Sequence, residues 1–360
     1  MKINVKIKDI DSELLFRRLE IDIGNKRILT PENASYNDNP ISGINEIYKK
    51  FSLDGESRTN NLNSFISSES YESQLNNTLK RLPQQNVNMF FVDYADMQIP
   101  ENKHIEALSD IQYSYSDIVI TPTCSKIVKD EDGESAINSF LDITNRFLDV
   151  SETLNNKGII GTIPFKIPRL NIEDIVKNYC DRDITSFAID LDGKCIQTTL
   201  PKMRMLMRLL KKYGINDEAF LYAINSYEGK FAKDAVEIPA KDFISTGFGI
   251  DILGMNHIPP RLPTNKWEEI SHREKSYRLF DKEIYGYQKV SEKEALDLGL
   301  KNRTEINKYN NTEKFQETKQ IKMILQEEST LEKYILTKSQ IDEKTITDIK
   351  KMRKETFNKK

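Results

Sequence analysis

Short apolar segments alternate with amphipathic segments through the middle of this chain, and this alternation limits the possible folds more than any other feature. The segments Met89–Asp93, Gly158–Ile163 and Ser186–Asp190 have the length and composition of buried strands. Between them, His104–Tyr113 and Ile172–Tyr179 carry apolar residues at helical spacing. Strands and helices that alternate in this way form parallel sheets. We therefore expect an α/β fold, a TIM-type (β/α)8 barrel with a helical C-terminal extension, with an open doubly wound sheet as the alternative.

The same pattern of apolar residues predicts further elements and divides the chain into three parts. The other predicted elements are a short helix at Ile44–Phe51, a strand at Asp117–Ile120, a helix near Ala136–Leu148, a helix from Pro201 to Gly214, and strands at Ala219–Ile224 and Asp242–Ser245. After about residue 262 the pattern changes to long charged helices. We expect a barrel over residues 1–262, a post-barrel segment over residues 263–336 and a charged helical tail over residues 337–360.

Composition excludes several classes of protein. The 53 basic and 56 acidic residues give a formal charge of −3, which does not indicate a general nucleic-acid binder but leaves room for a local basic face. No apolar run reaches the roughly 20 residues of a membrane-spanning helix, so no membrane partner is expected. The cysteines Cys124, Cys180 and Cys195 are scattered, which argues against a disulfide framework and favours the cytoplasm. The chain has no glycine-rich phosphate loop, and we predict no cofactor.

Carboxylates follow several of the predicted strands. Asp93 comes directly after an apolar run, Asp190 and Asp192 follow another, and Asp251 lies in the last predicted strand region. In a parallel barrel these positions meet at one mouth, where active sites lie. A cluster of them would raise at least one pKa and suit acid–base or glycosyl chemistry, or would hold Mg²⁺ with water. Ordinary strand-end carboxylates that cap turns are the alternative.

Several stretches, in chain order from about residue 87 to residue 336, resemble the tRNA-guanine and archaeosine transglycosylases. They are VDYADMQ at 92–98, SDI at 116–118, GIIGTIPF at 158–165, FAID at 187–190, GIDIL at 249–253 and the spaced residues from Asn310 to Tyr334. The resemblance implies a (β/α)8 barrel that exchanges a guanine in RNA for a 7-deazaguanine, with a related branch acting on DNA. It also implies a dimer.

The resemblance supplies roles for individual residues. It implies that Asp93 is an acid–base catalyst or holds the incoming base, and that Gln98 and Arg261 belong to the substrate side. Thr123 occupies the position of the family's base-binding Asp, and Asp190 to Gly193 replace its Gly-Gly-Leu loop. We therefore assign substrate binding to Gln98, Thr123, Asp190, Asp192, His257 and Arg261.

Two departures from the family pattern make activity an open question. The family's nucleophilic Asp corresponds to Gly254, so that Asp251 is a candidate catalytic residue only if the loop is remodelled. A structural role for Asp251 is the alternative. The family's zinc ligands correspond to Lys282, Ile284, Tyr287 and Tyr309, none of which is Cys or His. We predict no metal.

Two functional hypotheses follow. The first is a divergent transglycosylase-like enzyme that exchanges a base at an N-glycosidic bond of a nucleic acid, tRNA before DNA. The second is a non-catalytic protein that binds nucleic acid, or pairs as a subunit with an active transglycosylase. A homodimer or such a heterodimer is the expected assembly.

Overall fold

A central parallel sheet is surrounded by helices and flanked by two smaller antiparallel sheets. This computed structural model describes residues 3–35, 43–54, 60–70, 73, 77, 85–128, 133–154, 156–258 and 275–357. The described strands are β1 (Asn4–Ile10), β2 (Arg17–Ile23), β3 (Lys26–Leu29), β4 (Glu32–Asn33), β5 (Ile44–Phe51), β6 (Val87–Tyr94), β7 (Val119–Ile120), β8 (Ile159–Pro164), β9 (Phe187–Asp190), β10 (Leu221–Ile224), β11 (Glu237–Pro239), β12 (Ile252–Leu253), β13 (Ser276–Asp281) and β14 (Gly286–Ser291).

The helices lie mainly between the strands of the parallel sheet and after its last strand. They are α1 (Leu62–Ser67), α2 (Asn102–Tyr115), α3 (Gly133–Leu154), α4 (Ile172–Cys180), α5 (Leu200–Lys212), α6 (Lys241–Ile244), α7 (Glu292–Asp297), α8 (Arg303–Glu327), α9 (Glu332–Leu336) and α10 (Glu343–Phe357), with 3₁₀ helices at Arg169–Asn171 and Ser245–Phe248. No helix in these described ranges is long and apolar enough to cross a membrane.

Six strands form one parallel sheet in the order β4-β12-β10-β9-β8-β7. The strands β5 and β6 pair in parallel with each other, from Ile44 opposite Val87 to Phe51 opposite Tyr94. A parallel bridge between Ser35 and Asn45 joins β5 to the chain just after β4, and a bridge between Asp93 and Thr123 joins β6 to the chain just after β7. Each edge of the six-stranded sheet is thus connected to the β5–β6 pair, and the expected α/β class is confirmed.

Side chains of the parallel strands alternate between two cores, as the period of a strand requires. Residues on one face pack with the helices, where the apolar faces of α4 and α5 are buried. The opposite face forms a separate apolar cluster, which we call the inner cluster. It also contains residues of the antiparallel sheet β1-β2-β3. Its members include Leu19, Ile21, Ile28, Ile44, Val87, Met89, Phe91, Ile120, Ile160, Ala188, Tyr222 and Ile252. The N-terminal sheet therefore covers the inner cluster at the amino ends of the parallel strands.

Most of the predicted elements are confirmed, and two are wrong. Ile44–Phe51 is a strand rather than a helix. Its side chains alternate between two faces, so that Ile44 lies in the inner cluster while Ile47 and Phe51 pack with the helices. Asp242–Ser245 is helical rather than a strand, and it lies in α6 and the start of a 3₁₀ helix. The local sequence favours neither state strongly, and buried partners of Asp242 on other elements fix the outcome.

The chain after the parallel sheet packs through a group of buried charges and tyrosines, which we call the hairpin junction. It consists of Asp242, Tyr285, Tyr287, Lys314, Glu317, Tyr334 and Lys338. The Lys314 ammonium lies 2.6 Å from Asp242, and the Glu317 carboxylate accepts hydrogen bonds from Tyr285 and Tyr334. These contacts tie the hairpin β13-β14 to α8 in the segment where the family resemblance suggested a degenerate zinc site.

Candidate functional site

Buried carboxylates collect at the carboxyl ends of the parallel strands. Asp93 lies near the end of β6 and is fully buried, and Asp190 ends β9 with 7% of its surface exposed. Asp192 follows two residues later and is half-buried. Because all carboxyl ends of a parallel sheet lie at the same edge, these acids share one side of the molecule. We call these acids, together with Glu46 and His257, the acidic mouth.

Neutral donors hold the Asp93 carboxylate. It accepts hydrogen bonds from the Ser125 backbone N–H at 3.0 Å, the Ser125 hydroxyl at 2.8 Å and the Thr123 hydroxyl at 3.1 Å. Among the described residues, the nearest cation is the Lys50 ammonium, 3.8 Å away on a side chain that is 43% exposed. Thr123, predicted to bind substrate, is buried and donates to Asp93. Its hydroxyl therefore orients a carboxylate at the mouth.

Asp190 is tuned toward protonation near neutral pH. Burial raises its pKa to about 6, and the negative charges of Asp93 and Asp192 add to this effect. The Asn225 amide at 2.8 Å and the Asp192 backbone N–H at 3.0 Å both donate to Asp190 Oδ1 and oppose the rise only in part. Asn225 and Asp192 both have left-handed backbones, with φ of 58° and 46°. Non-glycine residues adopt this strained conformation rarely and often at functional sites.

The acidic mouth contains a further carboxylate, Glu46, that the sequence analysis did not single out. Glu46 is fully buried on β5 and accepts hydrogen bonds from the Tyr222 hydroxyl, the Met255 backbone N–H at 2.9 Å and His257 Nε2. A Cβ atom at Gly254 would overlap Glu46 Oε2 and lie 2.6 Å from a ring carbon of Tyr222. The position that the resemblance aligned with the family's nucleophile is thus a glycine because a different carboxylate fills the space.

Tyr48 joins Glu46 and His257 to the aspartates. Its ring stacks on the His257 ring at a centroid distance of 4.4 Å and an angle of 7°. Burial raises the pKa of Tyr48 well above its usual range, and the charges of Asp93 and Asp190 raise it further. The tyrosine therefore lies beside both aspartates and keeps its proton at neutral pH. Glu46, Tyr48 and Lys50 are spaced by two residues along β5 and therefore share one face of the strand. This spacing was the sequence pattern that could have predicted them as site residues.

Three predicted site residues lie elsewhere or make other contacts. Asp251 directly precedes β12, at the amino ends of the strands, and does not converge with Asp93 as expected. Its carboxylate is buried and bound by Arg17 through Nε at 2.7 Å and Nη2 at 2.6 Å, so it serves as half of a structural ion pair. Gln98 is exposed in the loop after β6, and its backbone oxygen accepts a hydrogen bond from Tyr94. Arg261 lies outside the described residues.

A basic cleft adjoins the acidic mouth. It has a volume of about 540 Å³ and lies between the 3₁₀ helix at Arg169, the loop after β9 and the start of α5. Arg169, Lys194 and Lys202 line it together with Tyr227, and Gly193 connects it to the strained turn at Asp192. A smaller cleft, lined by Thr123, Ser125, Lys166, Asp190 and Asp192, lies at the mouth itself. Cations beside an acidic recess provide separate contacts for a phosphate and for a group rich in N–H donors.

The donor set does not resemble a metal centre. Among the described residues, no three His, Cys, Asp or Glu side chains are grouped so that they could hold a metal ion. In comparisons with known proteins, no family model matches the chain and no curated protein matches it significantly.

Proposed function

We propose that this chain is a divergent relative of the tRNA-guanine transglycosylases that binds a nucleobase of a nucleic acid at the acidic mouth and acts on its N-glycosidic bond. One observation carries the proposal: Asp93 and Asp190 are both buried at the carboxyl ends of the strands, the charge of Asp93 acts on Asp190, and no buried cation pairs with either carboxylate among the described residues. A buried carboxylate with a raised pKa in such a position, as Asp190 has, is typical of catalytic sites.

The proposed scaffold is a closed (β/α)8 barrel. The six-stranded sheet and the β5–β6 pair are all parallel, and bridges at Ser35–Asn45 and Asp93–Thr123 connect both edges. Backbone hydrogen bonds from Ser35 N–H to the Ile44 carbonyl and from Thr123 N–H to the Val92 carbonyl continue these connections. The inner apolar cluster fits the filled interior of such a barrel.

The two aspartates suit different halves of the reaction. Asp190, with a pKa of about 6, can donate a proton to the purine nitrogen that leaves when the bond from the base to ribose C1′ breaks. Asp93, held by Thr123 and Ser125, offers oriented carboxyl oxygens to N–H donors of the base or to the electron-poor ribose. An incoming base then forms its bond to C1′ and loses a proton. Two carboxyl groups with separate environments are the usual arrangement for glycosidic bonds.

The basic cleft supports a polymer rather than a free base as the substrate. Arg169, Lys194 and Lys202 provide positive charge beside the mouth, where the phosphates next to an extruded nucleotide would lie. The proposed substrate is tRNA before DNA, as the family resemblance implies.

A second candidate function is a non-catalytic nucleic-acid-binding protein or partner subunit of an active transglycosylase. The observation that favours it is Gly254, where the family resemblance places a nucleophilic Asp and where Glu46 now leaves no space for a side chain. Such a protein would keep the basic cleft and the base recess but would form no covalent intermediate.

The test is incorporation of labelled guanine and 7-deazaguanines into bulk tRNA and DNA by the wild-type protein and by Asp93→Asn and Asp190→Asn. We expect incorporation by the wild type and a loss of about 10²-fold or more in each variant. Asp297→Asn, on the exposed face of α7, is the matched control and should behave as the wild type. Folded protein that incorporates no base into either polymer, yet binds tRNA through Lys202, would establish the second candidate instead.

A further inference from the structure

The basic cleft has room for much more than the phosphate contact that the proposed function assigns to it. Its volume of about 540 Å³ lies within the range of about 300–1,000 Å³ that small-molecule sites occupy. Gly193 lines this cleft, while Asp192, its neighbour in the chain, lines the acidic mouth. The basic cleft is therefore a ligand-sized space directly beside the mouth.

The start of helix α5 gives the wall of the cleft a positive potential. Thr198, Thr199 and Pro201 line the cleft where this helix begins. The first turn contains no Asp or Glu, and Thr199 does not cap the helix with its side chain, because its hydroxyl donates to the Cys195 carbonyl at 3.1 Å. Backbone N–H groups and the positive end of the helix dipole suit an anion at this position.

Cationic side chains add to the positive potential of this wall. The Lys202 ammonium donates to the Phe165 carbonyl at 2.6 Å and lines the cleft beside the start of α5. Arg169 is exposed in the 3₁₀ helix after β8, and no carboxylate of the described residues lies within ion-pair distance of it. A guanidinium presents paired N–H donors that match the oxygens of a phosphate. Arg169 thus supplies the donors that a phosphate at the start of α5 needs.

Tyr227 gives the same cleft an aromatic wall. It follows β10 by three residues, and its backbone N–H donates to the Lys194 carbonyl at 3.0 Å, which fixes the half-buried tyrosine beside the cleft. Ser226, immediately before it, is 2% exposed, and its hydroxyl has no hydrogen-bond partner among the described residues. A buried hydroxyl without a partner indicates that a ligand or water belongs nearby. An aromatic ring beside a positive wall is the arrangement on which nucleobases stack.

We propose that the basic cleft binds one whole nucleotide, with its phosphate at Arg169 and the start of α5 and its base against the ring of Tyr227. A phosphate and a flat ring are the two groups that this lining recognises, and the volume accommodates both. The nucleotide is either the neighbour of the extruded nucleotide in the same strand or a free nucleoside monophosphate. Only the first source rests on the proposed function, because only there does the occupant belong to the polymer whose base enters the acidic mouth.

The first test measures binding of guanosine 5′-monophosphate to the full chain by isothermal titration calorimetry, without any reaction. We expect the nucleotide to bind about 10-fold or more tightly than guanosine or inorganic phosphate, because it alone contacts both walls. Arg169→Gln and Tyr227→Ala should each weaken this binding by about 10-fold. Tyr227→Phe keeps the ring and should bind as the wild type does. Arg303→Gln, exposed at the start of α8, is the matched control for the loss of charge.

The second test identifies the source of the nucleotide. It compares a short single-stranded RNA that has one central guanine with the same RNA carrying an abasic site on either side of that guanine. If the occupant is the neighbouring nucleotide, one of the abasic sites should weaken binding to the wild type by about 10-fold but hardly change binding to Tyr227→Ala. If the occupant is a free nucleotide, neither abasic site has this effect, and guanosine 5′-monophosphate binds equally well with and without the RNA.

Unchanged affinity of Arg169→Gln and Tyr227→Ala for both the nucleotide and the RNA would overturn the inference, since both ligands would then bind outside the cleft. Arg169→Gln keeps the test available if Tyr227→Ala does not fold, because Arg169 lies at the surface. The proposed function fails separately. A wild type that exchanges no base but binds nucleotide through Arg169 and Tyr227 would count against base exchange alone. Base exchange by a protein whose ligand binding ignores both residues would count against the nucleotide site alone.

Discussion

The acidic mouth and the hairpin junction both bury carboxylates, but they compensate them in different ways. At the junction, Asp242 contacts the Lys314 ammonium at 2.6 Å and Glu317 lies 3.7 Å from the Lys338 ammonium, and both lysines are themselves buried. At the mouth, the hydrogen-bond donors to Asp190 from the described residues are two amide N–H groups. Burial of an ionised carboxylate costs several kcal/mol unless a partner offsets it. The junction places a buried lysine beside each carboxylate, although burial still raises the pKa of Glu317, whereas Asp190 at the mouth has no buried cation beside it among the described residues.

This difference supports the proposed role of the mouth as a site for a ligand. A cation–carboxylate pair such as Asp251 with Arg17 is satisfied within the protein and has no need of a ligand. Burial raises the pKa of Asp190 to about 6, and the negative charge of Asp93 adds to this rise. Retained electrostatic cost at a strand end is expected where a substrate, rather than the fold, supplies the missing partner.

The largest expected effect comes from removing a cation at the hairpin junction. Lys314→Met keeps the length of the side chain but leaves Asp242 buried without its ion pair, with Tyr287 as its remaining hydrogen-bond donor. We expect a loss of about 3–5 kcal/mol in the free energy of unfolding, measured by urea denaturation at pH 7. Lys319→Met, exposed on the same helix, is the control and should change stability by less than about 0.5 kcal/mol. Equal effects of the two substitutions would show that the junction pair is not needed for compensation.

The next expected effect is an increase in the free energy of unfolding, and it comes from a substitution at the acidic mouth. The pKa of Asp190 is raised from 3.8 to about 6 in the folded protein, so its contribution to stability is complete below about pH 4 and is lost as the pH rises through 6. Asp190→Asn removes the charge, and its single amide oxygen can accept both hydrogen bonds that now go to Oδ1. At pH 8 the variant should therefore be more stable than the wild type by on the order of 2–3 kcal/mol.

The measurement for Asp190→Asn is a series of urea denaturation curves between pH 4 and pH 8. The difference in unfolding free energy should be small at pH 4, grow between pH 4 and pH 6, and level off above about pH 6. Asp297→Asn should show no such growth. A constant difference across this range would mean that the pKa of Asp190 is not raised by its burial in the folded protein.

The sequence was sufficient for the parts of this comparison that depend on local pattern. Asp93 and Asp190 were predicted at strand ends because the apolar runs before them mark β6 and β9 clearly. Asp251 was predicted at the same end but lies at the other, because β12 has only two residues and its ends cannot be read from hydropathy. Glu46 was missed because β5 combines polar and apolar residues and resembles a helix. Its role depends on Gly254 and His257, more than 200 residues away, and only the fold brings them together.

The smallest expected effect tests whether Lys50 neutralises Asp93 at the mouth as Lys314 neutralises Asp242 at the junction. Its ammonium lies 3.8 Å from Asp93, but the side chain is 43% exposed, and water screens the pair. Lys50→Met should therefore lower the unfolding free energy by less than about 1 kcal/mol, far less than Lys314→Met. If it instead destabilises the protein as strongly as Lys314→Met, then Asp93 depends on a cation as Asp242 does, and the mouth is a structural ion pair. If the effect is small while base exchange or tRNA affinity falls, Lys50 serves the ligand, and the charge of Asp93 is left for the substrate to neutralise.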